Sequence, residues 1–172
     1  YPMKKEGKVY AITEIDTTKI ESYAFYNHST LSFIELSNKL TMIGEHAFEE
    51  TKSIKTITLP QSVTSIGSKA FANSALKLLF YLGSKQLSCN EDIYSTTIEN
   101  VRAMRGFETD KTTLCSNGQR QVNKNIDDYG KSGVNARFVY DNQEKDLFIY
   151  GLEGLYEDKT QRKDVQEYQT EI

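Results

Sequence analysis

The sequence is poor in several features that mark common functional classes. It has no tryptophan, two prolines, two cysteines and two histidines among its 172 residues. No apolar stretch reaches the roughly 18 residues that a membrane-spanning helix needs, so no membrane span is expected. Lysine and arginine (21) are slightly outnumbered by aspartate and glutamate (24) and form no basic run, which argues against a nucleic-acid partner.

Sequence motifs of catalytic and metal sites are missing as well. Neither Gly-x-Ser-x-Gly, nor a phosphate-binding glycine loop, nor His-Glu-x-x-His occurs. A hydrolytic or metal site would have to use His28 or His46, and solvated turn positions are the better interpretation of both. No Cys-x-x-Cys pair accompanies them, so a zinc site is not expected. The sequence therefore predicts no enzyme, no cofactor and no metal.

What the sequence does contain is an internal repeat. The block Ile-x-x-x-Ala-Phe occurs three times with a spacing of 23 residues, beginning at Ile20, Ile43 and Ile66. A short alternating apolar segment follows the first two blocks and predicts one strand per unit, with Ile34 and Leu36 or Ile57 and Leu59 directed inward. The third unit is one residue shorter at this point. A period of about 23 residues lies within the range of a leucine-rich repeat.

Each unit is too small to bury its own apolar face, so the units must stack on one another. The Ile-x-x-x-Ala-Phe block is then the turn or helical corner that returns the chain to the next strand. Small alanines allow close approach there, and the phenylalanines fill the centre of each coil. We therefore predict a column of Phe25, Phe48 and Phe71 as the core of the stack.

These residues resemble the BspA-like leucine-rich repeats found in surface proteins of certain bacteria and protists. The segment from Tyr81 to Cys115 resembles the part that closes such an array, and the segment from Gly130 to Gly154 resembles a β-hairpin module of the same family. The resemblance implies a mainly β fold, namely a short right-handed leucine-rich-repeat solenoid with a closing segment and a C-terminal β-hairpin module. It also implies a piece of a longer protein.

Three regions follow from this interpretation. Residues 1–118 are expected to hold the repeats and the closing segment. Residues 119–133 are polar and rich in Asn, Asp, Gly and Lys, which predicts a linker. Residues 134–172 are expected to form the hairpin module, with strands on either side of a polar turn at 141–145, and a charged tail that forms either a short helix or a mobile end.

Two covalent sites are suggested. The resemblance implies a disulfide between Cys89 and Cys115 in the closing segment, whereas two free thiols are the alternative in an intracellular protein. Asn27-His28-Ser29 is an acceptor triplet for N-glycosylation, although such triplets often occur by chance.

Binding on a solenoid usually uses the outward positions of the strands, because they stack into one continuous surface. We call this surface the strand face. The third unit is ambiguous, because its deletion allows either Leu78 and Phe80 or Leu79 and Tyr81 to point outward. Another part of the same long protein could equally well cover the face. The candidate residues are Phe33, Glu35, Thr56, Thr58, Leu78 and Phe80.

The resulting hypothesis is a non-enzymatic module for adhesion or recognition, located at the cell surface or outside the cell, with a protein or a glycan as partner. Other copies or segments of a longer repeat protein are further candidate partners. The alternative is an intracellular structural protein that packs within a large assembly, such as the cytoskeleton. Tyr1 either follows a removed signal or is an arbitrary boundary, so the start of the sequence does not decide between them.

Overall fold

A computed structural model describes residues 2–5, 8–12, 16–93, 100–107, 113–117, 122, 124–131, 136–143, 145–151 and 154–158. Within these ranges the chain forms strands and turns but no helix, so no described segment is a helix long and apolar enough to cross a bilayer. The strands are β1 (Pro2–Lys5), β2 (Lys8–Ile12), β3 (Lys19–Ile20), β4 (Leu31–Glu35), β5 (Met42–Ile43), β6 (Thr56–Leu59), β7 (Ser65–Ile66), β8 (Leu78–Tyr81), β9 (Ser88–Cys89), β10 (Asn100–Met104), β11 (Lys124–Ile126), β12 (Asp128–Lys131), β13 (Ala136–Asp141), β14 (Asp146–Gly151) and β15 (Gly154–Asp158).

Successive coils contribute neighbouring parallel strands, which is the arrangement of a β-solenoid. Strands β6, β8, β10 and β11 form one parallel sheet, in which Ile57 lies opposite Leu79 and Leu79 opposite Val101. Strand β4 lies beside β6 and pairs in parallel with β2, which in turn pairs antiparallel with β1. The predicted solenoid fold is thereby confirmed.

A second parallel sheet runs along the opposite side of each coil. It consists of the two-residue strands β3, β5, β7 and β9, in which Ile20, Ile43, Ile66 and Cys89 pair in order. These side chains are buried in the coil interior together with the inward residues of the longer strands. The leading isoleucine of each repeat is therefore a core residue because it alternates with an outward position in a short strand.

The phenylalanine column is present as the repeat period predicts. The ring centroids of Phe25 and Phe48 are 5.2 Å apart, and those of Phe48 and Phe71 are 5.5 Å apart, with the rings nearly parallel in both pairs. Phe48 and Phe71 are buried, whereas Phe25 at the end of the column is half-buried. One aromatic side chain per coil thus fills the interior at a regular spacing.

The Ile-x-x-x-Ala-Phe blocks are turns and not helical corners. We call residues 20–28, 43–51 and 66–74 the first, second and third corners. Each corner has two residues with positive φ, and each donates backbone N–H groups to carbonyl oxygens of the next coil, such as Phe25 N to Ala47 O at 2.8 Å and Phe48 N to Ala70 O at 2.7 Å. Those positive-φ positions are Tyr23, Asn27, His46, Glu50, Lys69 and Asn73.

The hairpin module is a four-stranded antiparallel sheet in the order β12-β13-β14-β15. The predicted hairpin is its centre, where Phe138 lies opposite Ile149 and Tyr140 opposite Leu147. The prediction of a linker over 119–133 is wrong for residues 124–126 and 128–131, which are strands β11 and β12. The side-chain pattern did not predict these two strands. Both lie at a sheet edge and are held by backbone hydrogen bonds, which do not depend on an alternation of apolar residues. The charged tail from residue 159 onward lies outside the described residues.

Candidate binding surfaces

The strand face is formed, but it is covered by the chain itself. Phe33, Leu78 and Phe80 are buried, as are Thr56 and Thr58. The third unit is resolved in favour of Leu78 and Phe80, since Leu79 and Tyr81 belong to the coil interior. Buried side chains cannot serve as a free binding face, so the prediction of an exposed one is wrong. The structure instead has the alternative arrangement, in which another part of the protein covers the face.

The cover is the hairpin module. The ring of Phe80 is 5.3 Å from that of Phe148 and 5.9 Å from that of Tyr150, measured between centroids. The ring of Phe33 lies 6.1 Å from Tyr150. Ile126 of β11 and Val139 of β13 complete this apolar cluster. Each of these side chains contributes roughly 1.5–3 kcal/mol when it leaves water, so the covered state of the face is strongly favoured over an open one.

Two ion pairs lie within or beside this apolar contact. Arg102 extends the strand face in β10, where it lies opposite Phe80, and its Nη2 donates to Oδ2 of Asp146 at 3.1 Å. The same guanidinium lies over the ring of Phe148, with Cζ 4.3 Å from the centroid. At the other end of the face, Arg137 of the module donates to Glu35. Charges taken this far out of water must be paired, so the two ends of the contact are fixed in register.

A chain of hydroxyl groups connects the two halves between these ion pairs. Thr58 Oγ1 and Tyr150 OH share a hydrogen bond, Tyr150 also bonds to Tyr129, and Tyr129 bonds to Arg137. Burial raises the pKa of Tyr150 well above its usual value near 10, and burial raises the pKa of Tyr129 as well. Both phenols are therefore neutral at physiological pH, where they hold the contact together and do not act as bases.

Arg105 forms a third connection between the solenoid and the module. Its Nε and Nη2 donate to the two carboxylate oxygens of Asp127 at 2.7 and 3.1 Å, and Nη2 also donates to Asp141 at 2.8 Å. The hydrogen bond from Arg105 is the main cause that lowers the pKa of Asp127. Gln143 in the turn between β13 and β14 accepts from Nη1 at 2.8 Å. Sequence reasoning missed this cluster because its members are scattered charges that read as a solvated surface.

Both cysteines lie in the segment that was predicted to close the array. Cys89 of β9 and Cys115 are joined by a disulfide across 26 residues of sequence, and Cys115 is fully buried. Leu87 forms a parallel bridge with Cys115, and Asn117 Nδ2 donates to Cys89 O at 3.0 Å. The disulfide and the bridge therefore tie β9 to the turn of the chain that follows it.

The remaining candidate residues lie on the corners. Asn27 is exposed on the first corner. His28 is half-buried, while His46 is paired with Glu49 and its ring stacks on that of Tyr23 at 4.6 Å. No group of three or more His, Cys, Asp or Glu side chains that could hold a metal ion occurs in the part of the chain that the structure describes.

Comparison with known proteins agrees with this architecture. No curated protein and no solved structure gave a significant match. The profile of the BspA type leucine-rich repeat region matches residues 12–117, in six copies. Within the matched residues, β4 lies beside β6, and β6, β8 and β10 pair in parallel. The chain belongs to the BspA-type leucine-rich repeat family.

Proposed function

We propose that this chain is a non-enzymatic recognition module of a secreted or cell-surface protein, in which the repeat solenoid and the hairpin module act as one rigid unit. Leucine-rich repeats of this family form interaction modules, which supports the general assignment. The observation that carries the proposal is the disulfide between Cys89 and Cys115, because such a bond persists in oxidising compartments and is rare in the cytosol.

The strand face has an internal role in this proposal. Phe33 and Phe80 hold Phe148 and Tyr150 of the module, and the buried ion pair of Arg102 and Asp146 fixes the register of the contact. A partner must therefore contact a surface that remains exposed when the module is in place. Such an exposed surface replaces the strand face as the proposed recognition surface.

An exposed flank of the solenoid offers stacked, equivalent positions of this kind. We call it the threonine flank, and it consists of Thr18, Thr41 and Thr64. The N–H and the hydroxyl of Thr41 donate to Thr18 O at 2.8 and 2.9 Å, and those of Thr64 donate to Thr41 O at 2.9 and 3.2 Å. Because Thr41 and Thr64 are each fixed to the previous coil, the flank is a rigid, regular array that suits a partner with matching polar groups.

A cell-binding assay with the purified chain tests this assignment. Fluorescently labelled chain should bind intact target cells, and Thr41→Arg should reduce binding at least tenfold, since it places a bulky charge in the middle of the threonine flank. Lys55→Glu, an equally exposed change elsewhere, should leave binding unchanged. Treating the cells with protease or with glycosidase beforehand distinguishes a protein partner from a glycan. Unchanged binding by Thr41→Arg would refute the threonine flank as the contact surface.

The competing function is an intracellular structural protein that packs within a large assembly. The state of Cys89 and Cys115 in the chain isolated from its natural source decides between the two. Alkylation without reduction should leave the mass unchanged if the protein is extracellular. A mass increase of two alkyl groups would mean free thiols and would favour the intracellular alternative.

A further inference from the structure

A cleft lies at the contact between the solenoid and the hairpin module. It has a volume of about 300 Å³ and is open to solvent. Leu36, Pro60 and Leu82 line it from three successive coils, and Tyr129 and Arg137 line it from the module. The cleft therefore forms only when the module is in place. Its size and its position between two packed units are typical of sites for small ligands.

The buried residues of the cleft hold one another in position. Thr58 and Tyr150 share a hydrogen bond, and Tyr150 also bonds to Tyr129. The ring of Phe33, which lines the cleft as well, is 6.1 Å from that of Tyr150. Because these contacts are made within the protein, the cleft keeps its shape without a ligand. A preformed site of this kind loses little conformational entropy on binding.

The lining residues that still reach solvent have groups suited to a ligand rich in hydroxyls. Glu35 is paired with Arg137, yet its side chain is 25% exposed. A carboxylate can accept about four hydrogen bonds, so it can bind ligand hydroxyls in addition to the guanidinium. Asn38 is exposed, and its amide both donates and accepts. Leu82 is half-buried and adds apolar surface beside these polar groups.

The two charges of the cleft cancel each other. Glu35 and Arg137 are the only charged residues among the described ones that line it, and they are paired. An added anion or cation would be left without a charge of opposite sign to compensate it, which is costly in a partly buried site. A neutral ligand that combines hydroxyls with C–H surface avoids this cost. A sugar ring has this combination.

We propose that the cleft binds a neutral sugar residue of a glycan. Hydroxyl groups of the sugar bond to Glu35 and Asn38, and its C–H groups contact Leu82 and the ring of Tyr129. The inference rests on the recognition role proposed above and gives that role a ligand class. Thr41 does not line the cleft, so the cleft is a second site in addition to the threonine flank. The module then contributes one part of a binding site as well as covering the strand face.

A titration of the purified full chain with simple sugars tests this inference. The probes are the methyl glycosides of glucose, galactose, mannose and N-acetylglucosamine, and binding is followed by nuclear magnetic resonance. At least one of them should give saturable shifts at Leu82 of the solenoid and at Tyr129 of the module. A ring of about twelve non-hydrogen atoms should bind with a dissociation constant on the order of 1 mM, given the usual affinity per atom.

The second coil supplies a matched control. Asn38→Ala should weaken sugar binding about fivefold, as the loss of one hydrogen bond implies, and Asn38→Trp should abolish it by filling the edge of the cleft. Gln61, which is 23 residues later in the next coil, is also exposed but does not line the cleft. Gln61→Ala and Gln61→Trp should leave the affinity unchanged. The contact between the rings of Phe80 and Phe148 should persist in all four variants, which shows that they are folded with the module in place.

Charged and peptide-like probes test the ligand class. The methyl glycoside of N-acetylneuraminic acid is an anion, and protonated glucosamine is a cation. Each should bind at least about tenfold more weakly than the best neutral sugar, because the cleft has no charge to compensate it. Nα-acetyl-lysine methylamide represents a side chain of a protein partner and should cause no shifts at Leu82 or Tyr129.

Three results would overturn the proposal. The first is the absence of saturable shifts at Leu82 and Tyr129 with all four neutral sugars up to about 50 mM, far above the expected dissociation constant. The second is an equal loss of affinity in the Asn38 and Gln61 variants. The third is tighter binding of a charged or peptide-like probe. None of these results would refute the recognition role itself, since the cell-binding assay with Thr41→Arg tests a surface outside the cleft.

Discussion

Arg102 of the solenoid and Asp146 of the hairpin module form a buried ion pair, with Nη2 3.1 Å from Oδ2 and each side chain no more than 2% exposed. They are 44 residues apart in sequence and belong to different sheets. Neither charge can reach water while the module is in place. A partial displacement of the module would separate the two charges while they are still out of water. The pair therefore disfavours intermediate positions of the module on the strand face.

Removing one partner of this pair should be strongly destabilising. We expect Arg102→Met to lower the free energy of unfolding by about 3–5 kcal/mol, because Asp146 is left buried without its cation. Urea denaturation followed by circular dichroism measures the change. The double variant Arg102→Met, Asp146→Leu should recover much of the loss, since an apolar pair fits the surrounding cluster. If the double variant is as unstable as the single one, the ion pair is not what holds this end of the contact.

The glycines of the second and third corners should tolerate no side chain. Gly44→Ala places a Cβ 2.5 Å from Ser22 N, a backbone atom that cannot move aside as a flexible side chain could. We expect a loss of about 1–3 kcal/mol in unfolding free energy, as for other overpacked sites. Glu21→Ala at the equivalent position of the first corner should change stability by less than about 0.5 kcal/mol. Equal effects of the two changes would contradict the close stacking of the corners.

The repeat period was sufficient to predict the interior of the solenoid. Ile20, Ile43 and Ile66 recur at one spacing, and identical positions in stacked coils must meet, so the phenylalanine column follows from the sequence with no further information. The inward direction of Ile57 and Leu59 follows in the same way from their alternation.

The repeat period could not predict that the hairpin module covers the strand face. Phe33 and Phe80 are apolar residues on an outward surface, and such residues indicate only that something covers them. The partners are Phe148 and Tyr150, which lie far away in sequence and follow no repeat. Arg102 would ordinarily be assigned to the surface, because arginine is seldom buried unless it is paired. Only the three-dimensional arrangement identifies the partner.

The buried phenol of Tyr150 should make stability depend on pH in the alkaline range. Burial raises its pKa in the folded state above the unfolded value near 10. Its contribution is therefore complete below about pH 10 and is lost as the pH rises further towards the folded-state pKa. Tyr150→Phe cannot ionise, so it should lose less stability than the wild type between pH 8 and pH 11, measured by urea denaturation at each pH. Parallel pH profiles for the two proteins would refute a buried, neutral Tyr150.

The disulfide should stabilise the closing segment. It closes a loop of 26 residues, for which the chain-entropy estimate is about 3.5 kcal/mol. We expect the double variant Cys89→Ser, Cys115→Ser to have a free energy of unfolding about 3.5 kcal/mol lower than that of the wild type, measured by urea denaturation. The wild-type chain under reducing conditions should show a similar loss. If reduction leaves the wild-type midpoint unchanged, the bond does not contribute to the closure of the last coil.

The central claim is that the hairpin module covers the strand face, and nuclear Overhauser contacts between aromatic rings test it most directly. In the full chain with selectively labelled phenylalanine and tyrosine, we predict contacts between Phe80 and Phe148 and between Phe80 and Tyr150, whose ring centroids are 5.3 and 5.9 Å apart. A soluble paramagnetic probe should leave the Phe80 signals unaffected. Absent contacts, together with broadening of Phe80 by the probe, would mean that the face is open and would contradict the account.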